Sequence, residues 1–149
     1  MSCYGVILIA PFDADTRMVD RVTGRLGFGH VALACGETDR QGRPIAIDSS
    51  VSAGGVFRRP LRLILREASF RIAEIEGIEE AYALAASRIG EPYHFGSLLG
   101  RAPREGCSTC SHLVWTCLPP ALREQVKPWR KGWCVSPNDL ARALLEGDP

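Results

Sequence analysis

The cysteines and histidines carry the strongest nucleophilic and acid–base chemistry in this sequence, and Cys110 has the most favourable surroundings among them. Hydrolysis by a cysteine needs a thiolate close to an imidazole, and hydrogen-bond donors for the oxyanion that forms on the attacked carbonyl. A glycine-containing loop, residues 105–109, precedes Cys110, and an apolar stretch typical of a helix follows it. Because a helix N-terminus favours an anion, we predict that Cys110 is a nucleophile.

Most of the other cysteines lie in less suitable positions. Cys107 precedes the predicted helix and is the second candidate. Cys117 falls in the last turn of that helix, where the helix dipole opposes a thiolate. Cys3 and Cys35 belong to apolar stretches typical of strands, where a cysteine behaves as a small core residue.

The three histidines differ in their ability to act as a base for Cys110. His112 follows Cys110 by two residues on the same predicted helix, so it points to roughly the opposite side. His94 lies in a loop after Pro92. His30 opens a buried strand behind a glycine, where an imidazole can either face a cleft or cap the edge of a strand. The spacing alone leaves both roles of His30 open.

Length and charge narrow the class of protein. A chain of 149 residues fits one domain, 1–149, that can bury a core. Eighteen basic and seventeen acidic side chains leave a formal charge of +1, so nothing argues for a nucleic-acid partner. The first residues lack the basic region of a secretory signal, and the apolar run at 6–10 is too short to span a bilayer. We therefore expect a cytoplasmic protein without a transmembrane segment, and export by a route without a signal peptide stays open.

The apolar pattern predicts two buried strands early in the chain with a helix between them. Residues 6–10 and 30–35 are continuous apolar runs. Asp13 or Asp15 can cap a helix that continues to about Leu26, before glycines interrupt it. Residues 45–48 follow a polar turn, which predicts the hairpin partner of the second strand.

The rest of the chain predicts further strands and helices. Gly54 and Gly55 form a turn before a short strand, and residues 60–66 fit either a strand or a short helix. Residues 70–75 alternate as in a half-exposed strand, and residues 78–89 are typical of a helix. A short helix over 110–117 and a last helix that starts at the Ser-Pro-Asn-Asp of 136–139 complete an α+β pattern.

Two motifs resemble the catalytic signature of NlpC-type cell-wall peptidases. Residues 90–96 read Gly-Glu-Pro-Tyr-His-Phe-Gly, and residues 110–114 read Cys-Ser-His-Leu-Val. In that family a Gly-x-Pro-Tyr stretch precedes a Cys-Ser-x-Leu-Val helix, and the catalytic histidine follows the cysteine. Here no suitable histidine follows Cys110, and His30 precedes it.

The order of the motifs instead resembles the circularly permuted branch, the YiiX-like and lecithin:retinol-acyltransferase-like hydrolases. In those proteins a Gly-His or Ser-His strand comes first and the cysteine helix comes last. The resemblance covers almost the whole chain, through the strand of His30, a next strand that ends in Asp48, a Gly-Val turn at 55–56 and a helix start at 136–140. It implies a papain-like α+β fold with a central antiparallel sheet packed against helices.

The resemblance also implies roles for individual residues. The protein would be a cysteine hydrolase that acts at an amide, ester or thioester bond through an acyl-enzyme. Cys110 would be the nucleophile and His30 the base. Asp48 would accept a hydrogen bond from the imidazole and fix its tautomer. Ser49 or Ser50 would take this place if the strand register slipped.

Three further residues are candidates for binding the substrate. Tyr93 matches the family's pocket tyrosine, whose hydroxyl helps to bind the substrate carbonyl. Phe95 either lines an apolar pocket beside it or belongs to the core, and Thr109 directly precedes the nucleophile. The expected substrate is a peptide, a peptidoglycan fragment or an acylated small molecule, and no cofactor or metal is expected.

Three alternatives stay open. Cys107 and Cys110, with His112 and either Cys117 or Cys134, could form a zinc site, since paired thiolates at this spacing suit tetrahedral zinc. A reversible disulfide between Cys107 and Cys110 could gate the nucleophile. A papain-like module that binds its ligand without catalysis is the third alternative.

Overall fold

A computed structural model describes residues 4–94, 108–129 and 131–145. Within these ranges the chain forms a five-stranded antiparallel sheet and six helices, which confirms the α+β class. In chain order the elements are β1 Tyr4–Ile9, α1 Ala14–Val22, β2 His30–Cys35, β3 Ile45–Ser50, β4 Gly55–Pro60, α2 Leu61–Leu65, β5 Phe70–Ala73, α3 Ile78–Ser87, α4 Cys110–Cys117, α5 Pro120–Gln125 and α6 Pro137–Leu145.

The order of strands across the sheet is β4-β3-β2-β1-β5. The strand β1 pairs with β2 on one side, where Ile9 is opposite His30, and with β5 on the other. The predicted hairpin partner of β2 is confirmed, because β3 pairs with it antiparallel and Leu33 is opposite Ile47. Consecutive strands β2, β3 and β4 therefore lie side by side.

Both faces of the central strands are covered. On one face Val6 and Leu8 of β1 pack in a core with α3, α4 and α6. On the other face Ile7 and Ile9 pack with α2 and with Phe12. A strand that is buried on both faces needs apolar residues at every position, which is why these strands appear as continuous apolar runs in the sequence.

The predicted helix after β1 is present but shorter than expected. Asp13 is its N-cap, and its carboxylate accepts a hydrogen bond from the backbone N–H of Thr16 at 2.8 Å. The helix ends at Val22 rather than near Leu26, since Gly24 adopts a positive φ of 104°. Residues 60–66 contain the short helix α2, and α5 is a helix that the apolar pattern did not predict.

In the described ranges no helix combines the length and apolar character needed to cross a membrane.

The N-terminus of α6 anchors the chain that leads to His30. Asn138 has no exposed surface, and its side-chain amide donates to Asp20 Oδ1 at 2.9 Å and to Thr23 Oγ1 at 3.1 Å. Its side-chain oxygen accepts a hydrogen bond from the backbone N–H of Phe28 at 3.1 Å. These contacts join α6 to the end of α1 and to the segment just before β2.

Gly29 completes this junction because no larger residue fits. A Cβ at this position would lie 2.5 Å from the backbone oxygen of Thr16 in α1. The backbone N–H of Gly29 also donates to the carbonyl of Ile9 at the end of β1. The glycine before His30, noted in the sequence, thus allows α1 to pack directly against the start of β2.

We expect Asn138→Ala to destabilise the protein, because it leaves the half-buried N–H of Phe28 without its acceptor and the buried Thr23 hydroxyl without its donor. The free energy of unfolding should fall by roughly 1–3 kcal/mol, the usual cost of an unsatisfied buried polar group. Urea unfolding measures this difference. The exposed pair of Arg43 and Asp39 provides the control, since Arg43→Gln should change stability by less than about 1 kcal/mol. Equal, small effects of both substitutions would contradict this role for Asn138.

Candidate active site

The side chains of His30 and Asp48 meet on neighbouring strands. His30 Nε2 lies 2.7 Å from Asp48 Oδ2, and both residues are buried. The register of β2 and β3, with Leu33 opposite Ile47, brings Asp48 beside Ala32. Side chains two residues apart share a face of a strand, so His30 is the diagonal neighbour of Asp48. The structure therefore brings together the predicted base and the predicted third residue.

The serines that follow Asp48 have other partners. Ser49 Oγ donates to the backbone carbonyl of Ser108 at 2.9 Å. Ser50 Oγ accepts a hydrogen bond from the backbone N–H of Ala53 at 3.1 Å. Asp48, rather than Ser49 or Ser50, is therefore the hydrogen-bond partner of the His30 imidazole.

Cys110 lies beside His30, at the first residue of α4. Because Asp48 occupies Nε2, Nδ1 is the ring nitrogen left to face the sulfur. Burial, the largest influence, acts to lower the pKa of His30, but the charge of the Cys110 sulfur and the hydrogen bond of Asp48 outweigh it. They raise the pKa of His30 to about 10. The imidazole therefore keeps its proton at neutral pH when it faces the sulfur as a thiolate.

Arg59 binds the far side of Asp48, and the sequence motifs gave no indication of this contact. Its Nε lies 3.1 Å from Asp48 Oδ1, and its Nη2 lies 2.6 Å from Oδ2. Burial, the largest influence, raises the pKa of Asp48, but the hydrogen bonds and charges of His30 and Arg59 bring it below its ordinary value. In the register of β3 and β4, Asp48 is opposite Phe57, so Arg59 is a diagonal neighbour on the same face.

Local capping fixes the start of α4 at Cys110. Thr109 is the N-cap, and its hydroxyl oxygen accepts a hydrogen bond from the backbone N–H of His112 at 3.2 Å. Ser111 Oγ donates to the backbone carbonyl of Val135 at 2.7 Å, which joins α4 to the segment before α6. Thr109, predicted as a substrate-binding residue, thus caps the helix of the nucleophile and also lines the cavity described below.

Tyr93 lies near Cys110 and lines the same cavity. Its backbone N–H donates to the carbonyl of Gly54, and residues 93 and 108 form an isolated β-bridge. Burial, followed by the charges of Cys110, Asp15 and Cys134, raises the pKa of the Tyr93 hydroxyl well above its ordinary value. The hydroxyl therefore stays protonated and can donate a hydrogen bond. The other predicted pocket residue, Phe95, lies outside the described residues, as does Cys107.

A cavity of about 210 Å³ opens beside the sulfur of Cys110. His30, Tyr93, Thr109 and Arg59 line the part around the nucleophile. The cavity continues between α1 and the segment 133–137. Its lining there is mainly apolar and includes Met18, Val19, Val22, Trp133, Val135 and Pro137, together with the more polar Asp15, Thr16, Cys134 and Ser136. A small molecule or an extended chain can therefore reach the sulfur alongside an apolar wall.

His112 lies away from this cavity, as helix geometry predicts. It is absent from the cavity lining, and its buried Nδ1 has no hydrogen-bond partner among the residues that the structure describes. Burial, followed by the charge of Arg88, lowers the pKa of His112 to about 4. Within residues 4–94, 108–129 and 131–145, no group of three or more His, Cys, Asp or Glu side chains could hold a metal ion. The zinc hypothesis also requires Cys107, which lies outside these ranges.

Comparison of the chain with known proteins found no matching family model, no matching curated protein and no matching solved structure. The resemblance of its motifs to the permuted NlpC-type hydrolases therefore stays a prediction. A function for this protein has to be inferred from the geometry of Cys110, His30 and Asp48 and from the cavity beside them.

The lowered pKa of His112 predicts acid sensitivity. The unfolded chain takes up a proton on this residue near its ordinary pKa of 6.5, whereas the folded protein does so only near 4. The stability contributed by neutral His112 is therefore complete above pH 6.5 and is lost as the pH falls towards 4. We expect His112→Gln to lose less stability between pH 7 and pH 5 than the wild type in urea unfolding. The exposed substitution Lys127→Gln should follow the wild type, and an identical loss in His112→Gln would contradict the prediction.

Proposed function

We propose that this protein is a cysteine hydrolase of the papain-like, circularly permuted NlpC type, acting on an amide, ester or thioester bond. The observation that carries the proposal is the arrangement of Cys110, His30 and Asp48 at the wall of a cavity. A buried cysteine beside an imidazole that is oriented by a carboxylate matches the requirements of nucleophilic catalysis. A papain-like module that only binds its ligand does not require this arrangement.

In the first half of the reaction, Cys110 Sγ attacks the carbonyl carbon of the substrate and the C=O electron pair moves to the oxygen. His30 then gives its Nδ1 proton to the leaving amine, alcohol or thiol. Collapse of the tetrahedral intermediate breaks the scissile bond and leaves a thioester on Cys110. Asp48 holds Nε2 of the same ring, so the proton is delivered from a fixed direction.

In the second half, a water molecule attacks the thioester carbonyl and His30 accepts its proton. The bond between sulfur and the acyl carbon breaks, the carboxylic acid leaves, and the thiolate and protonated imidazole are restored. If an acceptor alcohol or amine replaced water, the same residues would carry out acyl transfer. Hydrolysis and acyl transfer are therefore two outcomes of the same acyl-enzyme.

The proposed mechanism uses two donors for the oxyanion. The backbone N–H of Cys110 is at the first position of α4, where backbone donors have no partner within the helix. The hydroxyl of Tyr93 lies near the same sulfur and keeps its proton. Donors that are already oriented towards the developing charge supply a large part of the rate enhancement in acyl transfer.

The cavity favours a substrate with an apolar acyl portion. Its lining between α1 and residues 133–137 is mainly apolar, and this part leads directly to Cys110. An acylated small molecule, or a peptide with an apolar residue at the scissile bond, suits this lining better than a polar peptidoglycan fragment.

Cys35, Cys110 and Cys117 are thiols rather than disulfides, which fits the reducing cytoplasm in which we place the protein.

The first test of the proposal is the reactivity of Cys110. Iodoacetamide labelling followed by peptide mapping should modify Cys110 much faster than Cys117 at neutral pH, because the thiolate is the reactive species and burial raises the pKa of the Cys117 thiol. Labelling at this position should be lost in Cys110→Ser and slowed in His30→Asn, while Cys117→Ser keeps the wild-type rate. Hydrolysis of a p-nitrophenyl ester should fall roughly 10²–10⁴-fold in His30→Asn. Unchanged hydrolysis in Cys110→Ser would exclude the proposed mechanism.

The second test is the dependence on acyl chain length. For p-nitrophenyl esters of fatty acids, kcat/KM should rise about fourfold for each methylene that enters the cavity, which corresponds to roughly 0.8 kcal/mol per buried methylene. Val19→Trp should fill the apolar part, so activity on long chains should fall while activity on the acetate ester stays. Leu84→Trp, on an exposed face of α3, is the matched control. A flat chain-length profile would argue against an apolar acyl site.

A further inference from the structure

Arg59 and Asp48 form a bidentate ion pair next to His30. The Nε and Nη2 atoms of Arg59 bind the two carboxylate oxygens at 3.1 Å and 2.6 Å. The Asp48 side chain has no exposed surface, and that of Arg59 is 19% exposed. A guanidinium group matches a carboxylate in this way because its donors are held in one plane.

This geometry fixes the plane of the Asp48 carboxylate. Oδ2 is shared between His30 Nε2 and Arg59 Nη2, while Oδ1 is held by Arg59 Nε. Rotation of the carboxylate would break both hydrogen bonds to Arg59 and move Oδ2 away from the imidazole. The orientation that His30 needs is therefore the one that Arg59 enforces.

Arg59 also balances the charge of Asp48 through a catalytic cycle. When His30 gives its Nδ1 proton to the leaving group, Nε2 still donates to Asp48, but the neutral imidazole no longer offers the buried carboxylate a positive charge. An unpaired buried carboxylate is costly and would tend to take up a proton itself. A guanidinium is always charged, so Asp48 keeps a cationic partner at every step.

The other charged groups around the site act on His30. Asp13, the N-cap of α1, lies within electrostatic range of His30, and Arg66 at the end of α2 lies 3.8 Å from Asp13. Cys110 faces His30 from α4. Within the described residues, the ion pairs of Asp48 are those with His30 and Arg59.

We propose that Arg59 is a positioning residue, which orients the Asp48 carboxylate and keeps it ionised so that Cys110, His30, Asp48 and Arg59 work as one chain of side chains. This inference rests on the proposed function. It assigns to a β4 residue a part in catalysis that requires no contact with the substrate.

The experiment compares four variants of the full chain, Arg59→Lys, Arg59→Gln, Asp48→Asn and the double variant Asp48→Asn/Arg59→Gln. The readouts are kcat and KM on a p-nitrophenyl ester, and the pH profile of Cys110 alkylation by iodoacetamide. Arg58→Gln is the matched control, since Arg58 is the preceding residue on β4 and pairs with Glu37 at 3.1 Å instead. It should keep the wild-type kcat and pH profile.

We expect Arg59→Gln to lower kcat roughly 10- to 100-fold with KM unchanged, the size of effect seen when the hydrogen-bond partner of a metal-binding side chain is lost. The acid limb of its alkylation profile should move to higher pH, because Asp48 then takes up a proton more readily. Arg59→Lys keeps the positive charge but loses the bidentate hydrogen bonding to Asp48. It should therefore keep the wild-type acid limb while its kcat falls.

The double variant tests whether Arg59 acts through Asp48. If it does, Asp48→Asn/Arg59→Gln should be no slower than Asp48→Asn, so the two effects should not add. This comparison remains decisive if Arg59→Gln alone fails to fold, since the double variant leaves no unpaired charge. A further loss of kcat in the double variant, or wild-type kcat in Arg59→Lys, would overturn the inference. If the wild-type protein hydrolysed the p-nitrophenyl ester no faster than Cys110→Ser, the proposed function itself would instead be contradicted.

Discussion

The buried carboxylate of Asp48 is the constraint on which the site depends. A carboxylate removed from water is stable only when hydrogen bonds and opposite charges replace its hydration. His30 supplies one such bond from β2, and Arg59 supplies two from β4. The three side chains lie on the neighbouring strands β2, β3 and β4, so Asp48 reaches both partners only when these strands pair in the observed register. The register that satisfies Asp48 is the same one that orients His30 towards Cys110.

The helices bring the nucleophile to this sheet. Packing of Leu113 and Val114 against the central strands holds α4 in place, and Thr109 makes Cys110 its first residue. Through Asn138, α6 ties the end of α1 to the segment before His30. The cavity lies where α1, the start of α4 and the segment before α6 come together. One set of packing contacts therefore positions the thiol, the imidazole and the apolar wall along which a substrate would lie.

The spacing of apolar residues and the helix-capping residues predicted those parts of the fold that depend on local sequence. The continuous apolar runs of β1 and β2 and the start of α4 at Cys110 are of this kind, and the structure confirms them. Of the two candidate N-caps of α1, Asp13 and Asp15, the structure selects Asp13. The choice of Asp48 over Ser49 and Ser50 required the strand register, which no local pattern specifies. Arg59 was missed because its diagonal contact with Asp48 exists only once β3 and β4 are paired. The cleft position of His30 became clear only with α1 and α4 in place.

The central interaction of the site is the contact between the Cys110 sulfur and the His30 imidazole. A nuclear magnetic resonance titration of the histidine ring nitrogens, in the wild type and in Cys110→Ser, tests it directly. We expect His30 to stay protonated through neutral pH in the wild type, because the charge of the Cys110 sulfur raises the pKa of His30. In Cys110→Ser the pKa of His30 should fall clearly, since burial then opposes protonation without that charge. A neutral His30 in the wild type at pH 7, or the same titration in both proteins, would contradict the account.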